Sequence, residues 1–316
     1  MIRLALFSLL GLIAIALSLE LALRWIAGFG NPPLYVADPA TGYRLAPNQS
    51  VKRFGKQITV NQYSMRNAAI AKAPAPDSLR ILLIGDSIVN GGWWTDQSEI
   101  LSAAIAQQLA AKLPNPYTDV EVLNASANSW GPRNELGYIK SFGLFDAAVV
   151  VVVINTDDLF ATAPTSVQVG RDRSYPNRKP ALALIEVYRR IFVKPQPIPE
   201  MEAIQQEGGD RVGKNLDAIA QIQTLVNDGQ GQLLLAMTPL LREVVPPGSR
   251  DYEIKARQRL TDFASAAEMT YVDFLDSFQS HSAPESLYRD HIHLSPDGNA
   301  LVTHAIAQQV QAALTD

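Results

Sequence analysis

The sequence predicts an α/β protein with a mainly parallel sheet, preceded by one N-terminal transmembrane helix. Three observations carry this. From residue 80 onward, strand-like and helix-like segments alternate at least four times, the pattern of a parallel sheet with right-handed crossovers. The runs RILLIG (80–85) and AAVVVVVIN (147–155) are continuously apolar, as strands covered on both faces should be. Residues 4–27 carry only two charges, Glu20 and Arg24, and a helix of that length spans roughly 36 Å, enough for a bilayer.

Glu20 and Arg24 are four apart, so they can pair near one interface. A cleaved signal peptide is the alternative reading. The apolar stretch is longer than a usual signal core and has no small-x-small cleavage site, so an uncleaved anchor over residues 1–28 is expected. With no cysteine in the chain, a lipoprotein is excluded. Only Arg3 precedes the segment, whereas Arg44, Lys52, Arg53 and Lys56 follow it. That count does not favour export, but long downstream domains translocate regardless of it. The expectation is a single-pass protein of the inner (cytoplasmic) membrane with its body periplasmic or otherwise extracytoplasmic.

Residues 29–79 form a juxtamembrane segment, in which KQITVNQYSMRN has the β-branched residues and partial alternation of a short strand or two. The main domain is then expected over 80–316. Its first strand, 80–85, is followed by a helix over 96–113, where Asp96 and Glu99 have capping-box spacing. Strand 120–125, helix 134–143 and strand 147–155 come next, then helix 213–228, strand 232–240, helix 252–268 and strand 270–274. The last helix, 295–314, has Ser295 as N-cap and Pro296 at its first position. Residues 163–180 and 194–200 break the rhythm, and loops of such length are often lids or substrate rims.

A chain of 316 residues with 47% hydrophobic content can bury one large core or two at most. Its net charge of −4, with no Lys/Arg cluster longer than a pair, argues against nucleic acid as a partner. Thiolate and disulfide chemistry are excluded by the missing cysteine, and no motif calls for a cofactor. Any histidine mechanism must draw on His281, His291, His293 or His304.

Ligands of open α/β sheets sit beyond the carboxyl ends of the strands. There the sequence places GDS (85–87), NASANSWGP (124–132) and NTDD (155–158), with RDHIHLSPDG (289–298) just before the last helix. A serine hydroxyl needs a base to become a nucleophile, and a carboxylate usually orients that base. Asp290 and His293, three apart in a turn, can face one side, so that the Ser87 proton passes to His293. Gly85, Asp86, Ser87, Ile88 and Val89 do not make G-x-S-x-G, so the nucleophile elbow is not supported.

With Gly85, Asp86 and Ser87 on the first strand and Asp290 and His293 before the last helix, the chain resembles the SGNH or GDSL hydrolases over about residues 79–315. The resemblance implies a flavodoxin-like three-layer sandwich and an esterase, lipase, thioesterase, carbohydrate acetylesterase or acetyltransferase. It also implies Ser87 as nucleophile, His293 as base and Asp290 as orienter. The family's oxyanion hole combines the serine amide, a block-two glycine amide and a block-three asparagine. Here the glycine position falls on Ser129, or on Asn128 in a register slipped by one. The asparagine position falls on Asp157, with Asn155 able to substitute if the strand ends early. The anchor, GYRLAPN and SWGP resemble a membrane-anchored bacterial subset thought to act on cell-surface glycans.

The expected function is therefore a membrane-anchored serine esterase on acetyl or other acyl esters of a glycan, or an O-acetyltransferase with the same residues. A non-catalytic glycan-assembly protein is the reading that Asp157 and the missing glycine would favour. His291 and His293 could be metal ligands if a further ligand, such as His281, joined them. Trp93, Trp94 and Trp130 suit sugar rings or acyl chains, or plain packing. The pair Asp157 and Asp158 could suggest a cation site, but such a pair at a strand end is more often a helix or turn cap, and Tyr138 and Tyr188 fit core or helix packing.

Overall fold

The computed structural model describes residues 2–113 and 115–314. Residues 1, 114, 315 and 316, which fall within the spans read above, lie outside the described residues.

Helix α1 (Ile2–Trp25) is a 24-residue apolar helix, almost wholly exposed along its length. Two antiparallel hairpins follow, β1 (Tyr35–Asp38) with β2 (Gly42–Leu45) and β3 (Gln49–Arg53) with β4 (Lys56–Val60). Their inward side chains Tyr35, Tyr43, Leu45, Val51, Ile58 and Val60 join the main core. The hairpins thus cover one edge of the molecule instead of standing apart from it.

The five-stranded sheet is parallel throughout, in the order β6, β5, β7, β8, β9. Its strands are β5 (Ser78–Gly85), β6 (Asp119–Ser126), β7 (Val149–Asn155), β8 (Gln232–Thr238) and β9 (Thr270–Asp273). Every residue of β5 and β7 is buried, because helices lie on both faces. Period-two alternation divides β7 between the layers: Val150, Val152 and Ile154 face one core and Val149, Val151 and Val153 the other.

Between β5 and β6 run α2 (Ser87–Asn90) and α3 (Leu101–Ala110), and between β6 and β7 runs α4 (Pro132–Phe142). A 3-10 turn, Thr156–Phe160, ends β7. Then come α5 (Ala183–Phe192), α6 (Pro199–Gln205) and α7 (Arg211–Asp228) before β8. Helices α8 (Leu241–Val244) and α9 (Asp251–Ala266) precede β9, and α10 (Leu275–Gln279) and α11 (Pro296–Ala313) follow it. Helices α4, α7 and α9 form one outer layer, and α2, α3 and α11 the other. This is a flavodoxin-like three-layer sandwich, with its switch point between β5 and β7.

The helix expected from residue 96 begins only at Leu101. Asp96 does not cap it: its carboxylate accepts from the Gln57 backbone at 2.8 Å and from Ser98. Glu99 pairs with Lys56 at 2.8 Å, and Gln97 bonds both ways with β4 and its neighbours. Contacts with the second hairpin therefore override the local capping pattern, and residues 91–100 become a strap across β4.

Candidate active site

Strand β5 ends at Gly85, packed so closely that a Cβ there would lie 2.5 Å from the Val153 carbonyl oxygen. Only glycine lets the chain turn at this point. Asp86 then caps α2, its Oδ1 accepting from the Ile88 N–H at 2.8 Å. Ser87 follows at the first helical position, lining a cleft of about 840 Å³.

The loop that carries Asp290 and His293 is closed by three ties. Tyr288 and Leu294 form an antiparallel bridge. The Arg289 N–H donates to the His293 carbonyl at 2.8 Å, and the Leu241 N–H donates to the His291 carbonyl at 3.0 Å. Ser295 caps α11 immediately after, with Pro296 at its first position. The loop therefore returns to the sheet's carboxyl end with little freedom.

Ser87, His293 and Asp290 form one hydrogen-bonded chain. Ser87 Oγ lies 2.9 Å from His293 Nε2. His293 Nδ1 lies 2.8 Å from Asp290 Oδ2 and 3.0 Å from Oδ1. An ionised Asp290 only accepts, so Nδ1 carries the proton and Nε2 presents its lone pair to the serine hydroxyl. Burial pushes the Asp290 carboxyl up, but bonds from the His293 backbone and ring and from the Ile292 N–H outweigh it and hold it below the ordinary range. The imidazole packs edge-on against Trp94 at 4.8 Å, and the Arg289 guanidinium covers the same indole at 4.9 Å.

The switch point brings Asn155 to Ser87's neighbour. Asn155 Nδ2 donates to Asp86 Oδ2 at 3.0 Å and to Asp158 Oδ2 at 2.8 Å, and its Oδ1 accepts from the Asp157 N–H at 2.8 Å. Both amide hydrogens are thus committed to carboxylates. Asp157 lines the cleft with a half-exposed side chain, 3.3 Å from Arg242 Nη2. Ser129 also lines the cleft, and it adopts φ 58°, the left-handed region that a glycine would occupy without strain. Its Oγ accepts from the Tyr175 hydroxyl at 3.0 Å.

Three features of the site go beyond the sequence reading, which takes Asp158 as a cap and 163–180 only as a candidate lid or rim. Asp86 is fully buried, and burial pushes its carboxyl up to about 6. Burial likewise raises Asp158 and Glu135 well above the carboxylate range, and the nearby Asp86 charge raises both further. Arg66, buried and in no ion pair among the described residues, donates to the carbonyls of Asn90, Gly92 and Thr95 and so fixes the turn that presents Trp93 and Trp94. The hairpins and the 163–180 loop supply the cleft's aromatic wall, where Tyr175 packs at 5.1 Å from Tyr35 and 5.0 Å from Tyr43. Of the tryptophans singled out above, Trp130 is a core residue whose indole donates to the Tyr43 carbonyl at 2.8 Å. Among the described residues no three His, Asp, Glu or Cys side chains gather as a metal set.

A parallel sheet of this order, with a serine turned out at the end of β5, is the architecture of flavodoxin-like ester hydrolases. Residues 83–301 match the model of the GDSL-like lipase/acylhydrolase family. The match covers more than half of the chain, and the protein belongs to that family, an ester hydrolase by class. No curated protein matches the sequence. Solved structures with a similar course include Axe2, an acetylxylan esterase from Geobacillus stearothermophilus, at 14% identity and a TM-score of 0.48, covering 76% of this chain and 96% of that one. The acetyl xylan esterase AlAXEase matches at 14% identity and a TM-score of 0.48, covering 73% of this chain and 100% of its own. TesA matches at 17% identity and a TM-score of 0.46, covering 74% and 99% respectively.

Proposed function

We propose that the protein is a membrane-anchored serine esterase that forms an acyl-enzyme on Ser87. The observation that carries this reading is the hydrogen-bonded chain from Ser87 through His293 to Asp290 at one end of an open cleft. Ser87 Oγ attacks the ester carbonyl as its proton moves to His293 Nε2. Asp290 stabilises the imidazolium so formed. When the tetrahedral intermediate collapses, the C–O bond to the alcohol breaks and His293 returns the proton to the leaving oxygen. Water then gives its proton to His293, attacks the acyl carbon, and releases acid and free Ser87.

The oxyanion is met by the backbone N–H groups of Ser87 and Ser129. The left-handed backbone of Ser129 supports this, because it reproduces what a glycine would do there. Asn155 acts as the tie between the β5 and β7 ends, and Asp157 stays with Arg242.

The substrate proposed is an acetyl or other short acyl ester of a glycan. A cleft lined by the accessible aromatic rings of Trp93, Trp94 and Tyr175 together with amides and hydroxyls suits a sugar ring better than a long acyl chain. Helix α1 is the anchor, with the domain on the periplasmic side. A transferase would use the same first half-reaction and admit a sugar hydroxyl in place of water. The test is acetate release from p-nitrophenyl acetate and from O-acetylated oligosaccharides by the full chain in detergent, with Ser87→Ala and His293→Ala beside it. Each variant should lose at least about a thousandfold in kcat/KM. Acetate appearing on an added oligosaccharide instead of in solution would mark the transferase; activity surviving in Ser87→Ala would refute the assignment.

A further inference from the structure

Helix α5 is amphipathic with its faces reversed. Its inward side carries charge. Glu186, 5% exposed, accepts from the Gly30 N–H at 2.6 Å, from Arg53 at 2.8 Å and from Arg190 at 2.9 Å. Its outward side is apolar: Tyr188 is 59% exposed, Ile191 68% and Phe192 71%. At 100° per residue these three, with Leu184 and Ile185, share one side of the helix. Tyr188 is therefore not a core residue; its ring packs on Phe192 within the same helix, centroids 5.6 Å apart.

The helix is also fastened to the end of α1. Glu20 Oε1 accepts from the Ala183 N–H at 2.8 Å and Oε2 from the Leu184 N–H at 3.0 Å, capping α5. Arg24 holds Glu20 at 2.5 Å and donates to the Ala181 carbonyl at 2.9 Å. Before Glu20 lie eighteen described helical residues with no charge except Arg3, a length of roughly 27 Å at 1.5 Å per residue and close to the hydrocarbon thickness of a bilayer. Glu20 therefore marks the membrane boundary, and exposed Trp25 beyond it suits the interfacial belt. The apolar side of α5 starts at that same level, and exposed Arg189 and Lys194 flank it.

We propose that α5 is an interfacial helix whose Tyr188, Ile191 and Phe192 insert into the lipid at the headgroup boundary. This rests on reading α1 as an anchor. Lipid is the occupant because the exposed side is continuous with the membrane-spanning helix and flanked by basic side chains that suit phosphate headgroups. Arg190 and Arg53, which hold the polar side of α5, also line the cleft. The domain is thus seated on the bilayer with its cleft beside the surface, and the ester it takes is one carried at that surface.

The natural chain has no cysteine, so single substitutions can be spin-labelled cleanly. Leu12→Cys, Phe192→Cys, Ile191→Cys and Asp262→Cys would be placed in the full chain in nanodiscs with anionic lipid. Collision with oxygen would be compared with collision with a water-soluble nickel complex. The expected result is a ratio of oxygen to nickel accessibility several-fold higher at Leu12, Phe192 and Ile191 than at Asp262. If Leu12 reports lipid while Phe192 and Ile191 behave like Asp262, the interfacial helix is refuted and the anchor stands. Labels at 192 and 191 shielded from both reagents would refute it in favour of a protein cover. A nickel-accessible Leu12 would overturn the anchor and the interfacial helix together.

Discussion

At the residue scale, two positions near Ser87 hold conformations or charges that their own chemistry resists. Ser129 sits at φ 58° where an L side chain is strained. Replacement by glycine should change unfolding free energy by less than about 1 kcal/mol, because relief of strain offsets the added freedom of the unfolded chain. Ser129→Val, β-branched at positive φ, should cost on the order of 2 kcal/mol. Urea melts of both variants test this. Asp86 is the second position. Burial raises its carboxyl from 3.8 to about 6, so the native state binds its proton more tightly than the unfolded chain does. Its contribution is fully present below about pH 4 and is lost as pH rises through 6. The loss amounts to about 3 kcal/mol by neutral pH. Stability measured between about pH 4 and 6 should fall, and Asp86→Asn should make that slope shallower whatever it does to the absolute value, the remainder belonging to Asp158 and Glu135.

At the element scale, α5 is held by two buried carboxylates, Glu20 at its start and Glu186 on its inward side. Removing the Arg53 guanidinium leaves Glu186 inside with only the Gly30 N–H and a half-exposed Arg190 for company. Arg53→Ala should therefore cost about 3 kcal/mol or more, whereas Arg189→Ala, on the exposed side of α5, should cost almost nothing. Thermal melts of the full chain in detergent would show the contrast. The elements themselves were unequally legible in the sequence. Strands β5 and β7 announce themselves because full burial leaves continuous runs of Val, Ile and Leu. Helix α11 does so through Ser295 and Pro296. Helix α3 was read five residues early, because nothing local shows that Asp96 is already bonded to Gln57 across 39 positions. Strands β1 and β2 have no strong alternation, since their burial comes from Tyr35 and Tyr43 meeting Tyr175 of a distant loop.

For the whole molecule, the fold works by bringing distant segments to one switch point. Ser87 and His293 are separated by 206 positions and meet at 2.9 Å. Their residue types and chain order were enough to pair them, because a hydroxyl nucleophile needs a base and few histidines are available. The surroundings were not readable. Asn155 was weighed only as an oxyanion donor, yet the buried acids Asp86 and Asp158 claim its amide. The inverted face of α5 shows only once Glu186 is seen to point inward. The apolar stripe of α5 is present in the spacing of Leu184, Tyr188 and Ile191, but which side faces inward, like the partners of Asn155, is set by tertiary contacts alone.

The central claim is that Ser87 is a nucleophile activated by His293. The most direct test is to treat the full chain with a fluorophosphonate and locate the adduct by mass spectrometry, with His293→Ala and Asp290→Asn in parallel. The account predicts one adduct on Ser87 in the wild type. It predicts none within the same time in His293→Ala, and labelling slowed by about a hundredfold or more in Asp290→Asn. A folded wild type that takes no adduct, or one that takes it equally well without His293, would contradict it.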